Sequence, residues 1–217
     1  MQCDRCRMPA VCHQRYSGRY LCADHLSADI EARAKRVIRQ NHWLVRGDRI
    51  GVCTGMRGSA PLLIFLENLL NQRSDISIVS LTIPKSRIED AAPAQVLSVI
   101  AQEAGVTRIA LPDTADDIAI RTLEALFRND VDLLLDDALP VFSYPVMQPF
   151  REIPSDELNL YLDHHRVPGA GYECENIPKS PDEPLRELLN VFGSHHPSAP
   201  HALRHYRDHL RLLADED

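Results

Sequence analysis

The stretch Ile50-Gly51-Val52-Cys53-Thr54-Gly55-Met56-Arg57-Gly58-Ser59 constrains the fold more than any other part of the chain. An apolar, strand-like run enters it and an apolar helical pattern, Pro61 to Leu70, leaves it. Strand, glycine-bearing turn and helix together form a phosphate-binding arrangement, because free backbone N–H groups and the positive helix end converge on one spot. The turn is neither a Walker A loop, lacking Gly-Lys-Ser/Thr, nor a G-x-G-x-x-G dinucleotide turn.

The same alternation continues along the chain. Strands are expected at Arg49–Cys53, Asp75–Thr82 and Thr107–Leu111, with helices at Ala60–Asn71, Ala94–Ala104 and Asp116–Phe127. The last of these should pack through Leu123, Leu126 and Phe127. Asp130–Leu135 extends that helix or begins a strand. Such a succession implies an α/β fold, a parallel sheet with helices on both faces and ligands at the carboxyl ends of its strands. Thr54–Ser59 and Pro112–Asp117 both fall at such ends and are expected to face one pocket.

Ahead of this region lies Cys3-x-x-Cys6, then fifteen residues, then Cys22-x-x-His25. Two such pairs supply the four soft ligands of a tetrahedral zinc, and about 25 residues cannot fold on their own apolar surface. A structural zinc ribbon is expected, with Cys12 and His13 as substitute ligands and short strands around Ser17-Gly18. A helix from about Ala28 to Leu44, capped by Ser27 or Asp29, follows, and Arg33, Lys35, Arg36, Arg39 and Arg46 make this the most basic part of the chain. This face is either simply solvated or a phosphate-contacting surface beside the ribbon. The formal net charge of −7 over 217 residues excludes a global basic field, so nucleic-acid binding needs such a local patch. No run approaches the ~20 apolar residues of a membrane span, and a signal peptide is not evident. A cytoplasmic protein with reduced thiols is expected.

Toward the C-terminus, Arg166–Glu183 reads as a Gly/Pro-rich loop between helices at Asp156–Leu162 and Pro184–Phe192. A terminal helix, Pro200–Ala214, puts His201, His205 and His209 on one face, solvated or metal-binding. The expected segments are the ribbon at 1–27, the basic linker helix at 28–46, the α/β domain at 47–145 and a helical segment at 146–217.

The order of these features resembles the tRNA 2-thiolation enzymes of the PP-loop ATPase superfamily. The ribbon precedes Glu31-Ala32-Arg33, which is similar to the family's "ExR" helix. Leu111-Pro112-Asp113-Thr114-Ala115-Asp116-Asp117 resembles its "GHNLDD" turn, and Gln148-Pro149-Phe150-Arg151-Glu152-Ile153-Pro154 its "kPLr-ip" segment. Tyr172-Glu173-Cys174 resembles the segment of the second catalytic cysteine, and His196-Pro197-Ser198-Ala199 the "HPGT" motif. The resemblance implies a Rossmann-like (adenine nucleotide alpha hydrolase-like) sheet, with nucleotide contacts at Thr54, Gly55, Arg57, Ser59 and Asp117. It also implies RNA contacts at Arg33, Arg36 and Arg39, and a catalytic role for Cys174.

Departures from the family qualify this. Against S-G-G-K-D-S, Met56 replaces a glycine and Gly58 the aspartate, so ATP and Mg²⁺ should bind weakly. The first catalytic cysteine has no counterpart within Pro84–Ala94. One thiol, Cys174, cannot run a persulfide–disulfide cycle or hold an iron–sulfur cluster, so no cluster is expected. Cys53 reads as a small core residue. The resemblance then implies a tRNA-binding, catalytically reduced member of the thiolation pathway, in a homo- or heterodimer. A catalytic paralogous subunit or a sulfur-carrier protein would be its partner. The alternatives are an active ATP-dependent thiolation enzyme and a nucleotide-binding regulatory module unrelated to RNA.

Overall fold

The computed structural model describes residues 1–54, 57–82, 93–135, 144–165 and 183–214. At the N-terminus, β1 (Cys12–Gln14) and β2 (Arg19–Leu21) form an antiparallel hairpin. Alternation buries Cys12, Gln14 and Leu21 on one face and turns His13 outward.

The first helix, α1 (Ala23–Gln40), starts immediately after Cys22, five residues before the expected Ala28. The ligand pair explains this: Cys22 and His25, three apart, come onto one side when the chain turns helical between them. Ser27 and Asp29, expected as caps, are buried within the helix. Leu26, Ile30, Ala34, Val37 and Ile38 make the apolar stripe of α1. The helix stops at Gln40 rather than Leu44, where His42 takes a left-handed backbone (φ 52°).

A four-stranded parallel sheet follows, ordered β4-β3-β5-β6. Its strands are β3 (Arg49–Thr54), β4 (Ser77–Thr82), β5 (Arg108–Ala110) and β6 (Val146–Met147). The two-residue edge strand β6 is too short for alternation to register in sequence. Between strands run α2 (Ser59–Leu70), α3 (Pro93–Glu103), α4 (Ala115–Arg128) and the short α5 (Val131–Leu135). Thus 131–135 is helical, a separate turn after Asn129 adopts φ 53°.

Each face of the sheet has its own core. Ile50 and Val52 pack with Leu62, Phe65 and Leu66 of α2 and with the stripe of α1. Cys53, Leu81 and Ile109 pack on the other side with Leu97 and Ala101 of α3. The α/β reading with helices on both faces therefore holds. α6 (Ser155–His165) joins the first core through Leu158 and Tyr161. α7 (Glu183–His195) and α8 (Ala199–Ala214) pack against α4. That contact keeps Leu123 on the packed face of α4, as expected, and corrects the other two positions. It buries Ile118, Ala119, Ile120, Thr122 and Ala125, whereas Leu126 and Phe127 are 41% and 67% exposed. Among the described residues, no helix is long and apolar enough to cross a membrane.

Candidate functional site

The ribbon's four expected ligands converge. The ligand atoms of Cys3, Cys6, Cys22 and His25 all lie within 4.8 Å of one another. Cys6 Sγ is 3.6 Å from Cys22 Sγ, and His25 Nδ1 is 3.2 Å from Cys22 Sγ and 3.5 Å from Cys3 Sγ. With bonds of about 2.0–2.3 Å, tetrahedral ligands around one ion sit roughly 3.5–3.8 Å apart. The set is thus spaced to hold a single metal ion. Burial opposes ionisation of Cys3, but backbone N–H groups of Cys22, Arg5 and Cys6 outweigh it and hold that thiol near 6. Cys12 points away into the core, where burial and the nearby Glu157 push its thiol up to about 12. It is not a substitute ligand in this arrangement, and His13 faces outward.

A buried polar cluster docks the ribbon onto the rest of the chain. Glu157, 2% exposed on α6, accepts hydrogen bonds from Tyr16 Oη (2.6 Å), Gln14 Nε2 (3.2 Å) and Arg33 Nη2. Arg33 Nε lies 3.2 Å from Asp29, which also receives Gln14 and Arg19. Burial pushes the Glu157 carboxyl up, while the Arg33 guanidinium and the Tyr16 and Gln14 donors pull it back. Arg33 was expected to contact RNA. Its side chain is only 12% exposed and reaches inward to α6, so it is a clamp between ribbon, α1 and α6. Glu31 likewise accepts from Lys35 (2.8 Å) and Tyr161 (3.4 Å). Nothing in the sequence near Glu157, Gln14 or Tyr16 signalled this cluster. By contrast, Arg36 and Arg39 are exposed; Arg36 lies 3.6 Å from Glu152.

At the carboxyl end of the sheet, β3 leads to β4 on one side while β5 lies on the other, so the order of strand addition reverses between β3 and β5. A crevice forms at such a switch point. The two turns expected to share a pocket do meet there. Gly58 caps α2 with φ 81°, and a Cβ placed on it would lie 3.1 Å from Pro112 Cβ and Pro112 O. The chain thus needs glycine at 58 for backbone conformation and for space.

The expected nucleotide contacts are largely engaged with protein. Ser59, 3% exposed, donates its hydroxyl to the Cys53 carbonyl (2.6 Å). The Thr54 hydroxyl lies 2.8 Å from that of Thr82 and donates to the Leu81 carbonyl (3.3 Å). Asp117 completes a capping box with Thr114 at the start of α4 and pairs with Arg186 of α7 at 2.7 Å. Burial alone would raise its carboxyl, but the Thr114 and Arg186 hydrogen bonds hold it below the usual value. Asp116 accepts from Ser155 N and Oγ, and Asp113 from Gln148 and Arg121. These carboxylates tie α4 to α6, α7 and β6. Gly55 and Cys174 lie outside the described residues. Cys53 is a core side chain, 1% exposed, its thiol pushed to about 12 by burial and by Asp113.

A cavity of about 450 Å³ opens between the ribbon hairpin, the start of α6 and the α7–α8 pair. Arg57 lines it from the glycine turn, together with His13, Tyr16, Asn159 and His201. Among the described residues Arg57 has no ion-pair partner. His201 tilts against the Tyr16 ring (centroids 4.6 Å apart), and burial together with Arg204 holds its imidazole toward the neutral form. The other C-terminal histidines join no metal-ligating group among the described residues.

Three comparisons bear on this architecture. A family model described as "2-thiouridine synthetase TtuA, N-terminal LIM domain" matches residues 2–27. A tRNA 2-thiolation protein, NcsA of Haloferax volcanii, is 23% identical over an alignment 286 positions long, gaps included, which spans 100% of this chain and 89% of that protein. The solved structure of U34-tRNA thiolase NcsA from Methanococcus maripaludis, with its [4Fe-4S] cluster, has a TM-score of 0.78 at 14% identity. It covers 97% of this chain and 87% of its own. This last finding overturns the expectation that an iron–sulfur cluster is excluded: a protein of this fold carries one. From its ribbon to its last helix, the chain resembles the PP-loop tRNA 2-thiolation proteins.

Proposed function

We propose that the protein binds tRNA and serves the tRNA 2-thiolation pathway as a subunit of reduced catalytic capacity. The observation that carries this reading is the whole-length likeness to the Haloferax volcanii protein, which takes in 100% of this chain. The ribbon is assigned a structural zinc, on its donor set of three thiolates and one imidazole and on ligand separations of 3.2–3.6 Å. RNA contacts are assigned to the exposed Arg36 and Arg39, not to Arg33.

Reduced catalysis is supported by the state of the glycine turn. The Ser59 hydroxyl and the Asp117 carboxylate are committed to protein partners, and Gly58 carries no carboxylate for a metal-bound nucleotide. The partner in this reading is a catalytic paralogue or a sulfur-carrier protein, in a homo- or heterodimer. A second reading, an active ATP-dependent thiolation enzyme, draws on Arg57, which keeps a cation at the crevice, and on the thiolase named among the solved structures.

Two assays separate these readings. In a gel shift at low salt, an unmodified tRNA transcript should bind the metal-loaded protein. AMP release from ATP and Mg²⁺ should then stay at background with tRNA and a sulfide source present. tRNA-dependent AMP release would replace the first reading by the second. Failure to bind tRNA at low salt would remove the pathway reading.

A further inference from the structure

The outward side of the ribbon hairpin carries two rings in register. His13 and Tyr20 are direct cross-strand partners. Their centroids lie 4.2 Å apart with planes only 4° from parallel. Cross-strand aromatic pairs stabilise a hairpin, yet this one sits on the exposed face, opposite the buried Cys12, Gln14 and Leu21. The imidazole lines the 450 Å³ cavity, and Tyr20, which covers one of its faces, does not.

The ribbon side of the rings is basic, while the cavity itself carries Asp116, Asp156 and Glu157 beside Arg15, Arg57 and Arg186. Residues 1–22 hold Arg5, Arg7, Arg15 and Arg19 against Asp4 alone, in a chain of net charge −7. Arg15 donates to the Ser194 carbonyl at 2.6 Å and reaches the cavity rim, while Arg5 and Arg19 pair with Asp29. Arg57 lines the same cavity. A flat, open ring surface beside cations is the arrangement that receives an unpaired base, whose face stacks while its phosphate meets the charge.

We infer that His13, backed by Tyr20, is a stacking platform for one unpaired nucleobase of a bound RNA, with Arg57 taking the adjacent phosphate. The base extends a ready-made two-ring stack and lies at the mouth of the cavity. This rests on the RNA-binding reading above and gives it a position. Stacking tolerates any base, so the platform supplies affinity and orientation, while base identity is read elsewhere.

The test uses the full metal-loaded chain, an unmodified tRNA transcript, and a short single-stranded RNA with one 2-aminopurine. His13→Ala should weaken tRNA binding roughly 5- to 100-fold at fixed salt, with the salt slope unchanged. It should also abolish quenching of the 2-aminopurine. His13→Phe should restore both, and His13→Leu, equally bulky but not aromatic, should not. Arg57→Ala should instead flatten the salt dependence by about one phosphate contact. Metal content equal to that of the unaltered protein establishes that each variant's ribbon is folded. If the unaltered protein binds tRNA and His13→Ala binds within twofold of it, the platform is wrong and the pathway reading stands. Equal binding by the Leu and Phe variants likewise overturns the platform. No tRNA binding by the unaltered protein overturns both.

Discussion

Replacing Arg33 by methionine tests whether this side chain clamps the ribbon or contacts RNA. Methionine keeps the aliphatic stem packed and removes only the guanidinium. The change deletes the hydrogen bond to Glu157, the contact to Asp29 at 3.2 Å and the bond to the Glu152 carbonyl at 3.3 Å. Breaking a buried ion pair from one side costs about 3–5 kcal/mol, because the other charge remains buried. Glu157 keeps Tyr16 and Gln14 as donors, and Asp29 keeps Arg19, which shifts the expectation down by about 1 kcal/mol, to about 2–4 kcal/mol. For a chain of this size that lowers the melting temperature by roughly 5–15 °C. Arg36→Ala is the control: its side chain is 52% exposed and 3.6 Å from Glu152, so about 0.5 kcal/mol or less is at stake. Urea unfolding of the metal-loaded protein, read by far-ultraviolet circular dichroism, compares the two. An Arg33→Met variant as stable as the unaltered protein, yet weaker for tRNA, would refute the clamp and return Arg33 to the RNA surface.

Two further perturbations probe the crevice. Asp117→Asn should cost about 1–2 kcal/mol at neutral pH by removing the charge paired with Arg186. Because the folded-state value of Asp117 is held low, its contribution is present above the ordinary carboxylate value, near 4, and is lost as pH falls through the folded value. The stability gap between the two proteins should therefore close below about pH 4 in acid titrations; a gap constant with pH would contradict the assignment. Gly58→Ala should destabilise by about 1–2 kcal/mol, since φ is 81° and the new Cβ would press on Pro112 at 3.1 Å. Unchanged thermal stability would show that the turn does not hold this conformation.

The features legible in sequence were those encoded locally. Cys3, Cys6, Cys22 and His25 announce a metal centre by spacing alone, since four soft ligands on two short loops have few other uses. The strand and helix alternation from Arg49 to Phe127 is legible because each element carries its own period. Boundaries were less so: α1 begins at Ala23 because the ligand pair is itself helical, whereas capping residues pointed to Ala28.

Arg33 lies among exposed basic residues on a helix, and its own neighbourhood reads as a solvated face. What buries it is Glu157, 124 residues away, brought over by the packing of α6 on α1. The carboxylates of the Pro112–Asp117 turn resemble metal-nucleotide ligands in sequence. Tertiary contacts instead engage them with Ser155, Arg186, Gln148 and Arg121. Local chemistry thus determined which elements form and where a metal can sit. Which charged side chains face solvent was decided only when distant segments met, because burial and ion pairing belong to the packed interface and not to the residue alone.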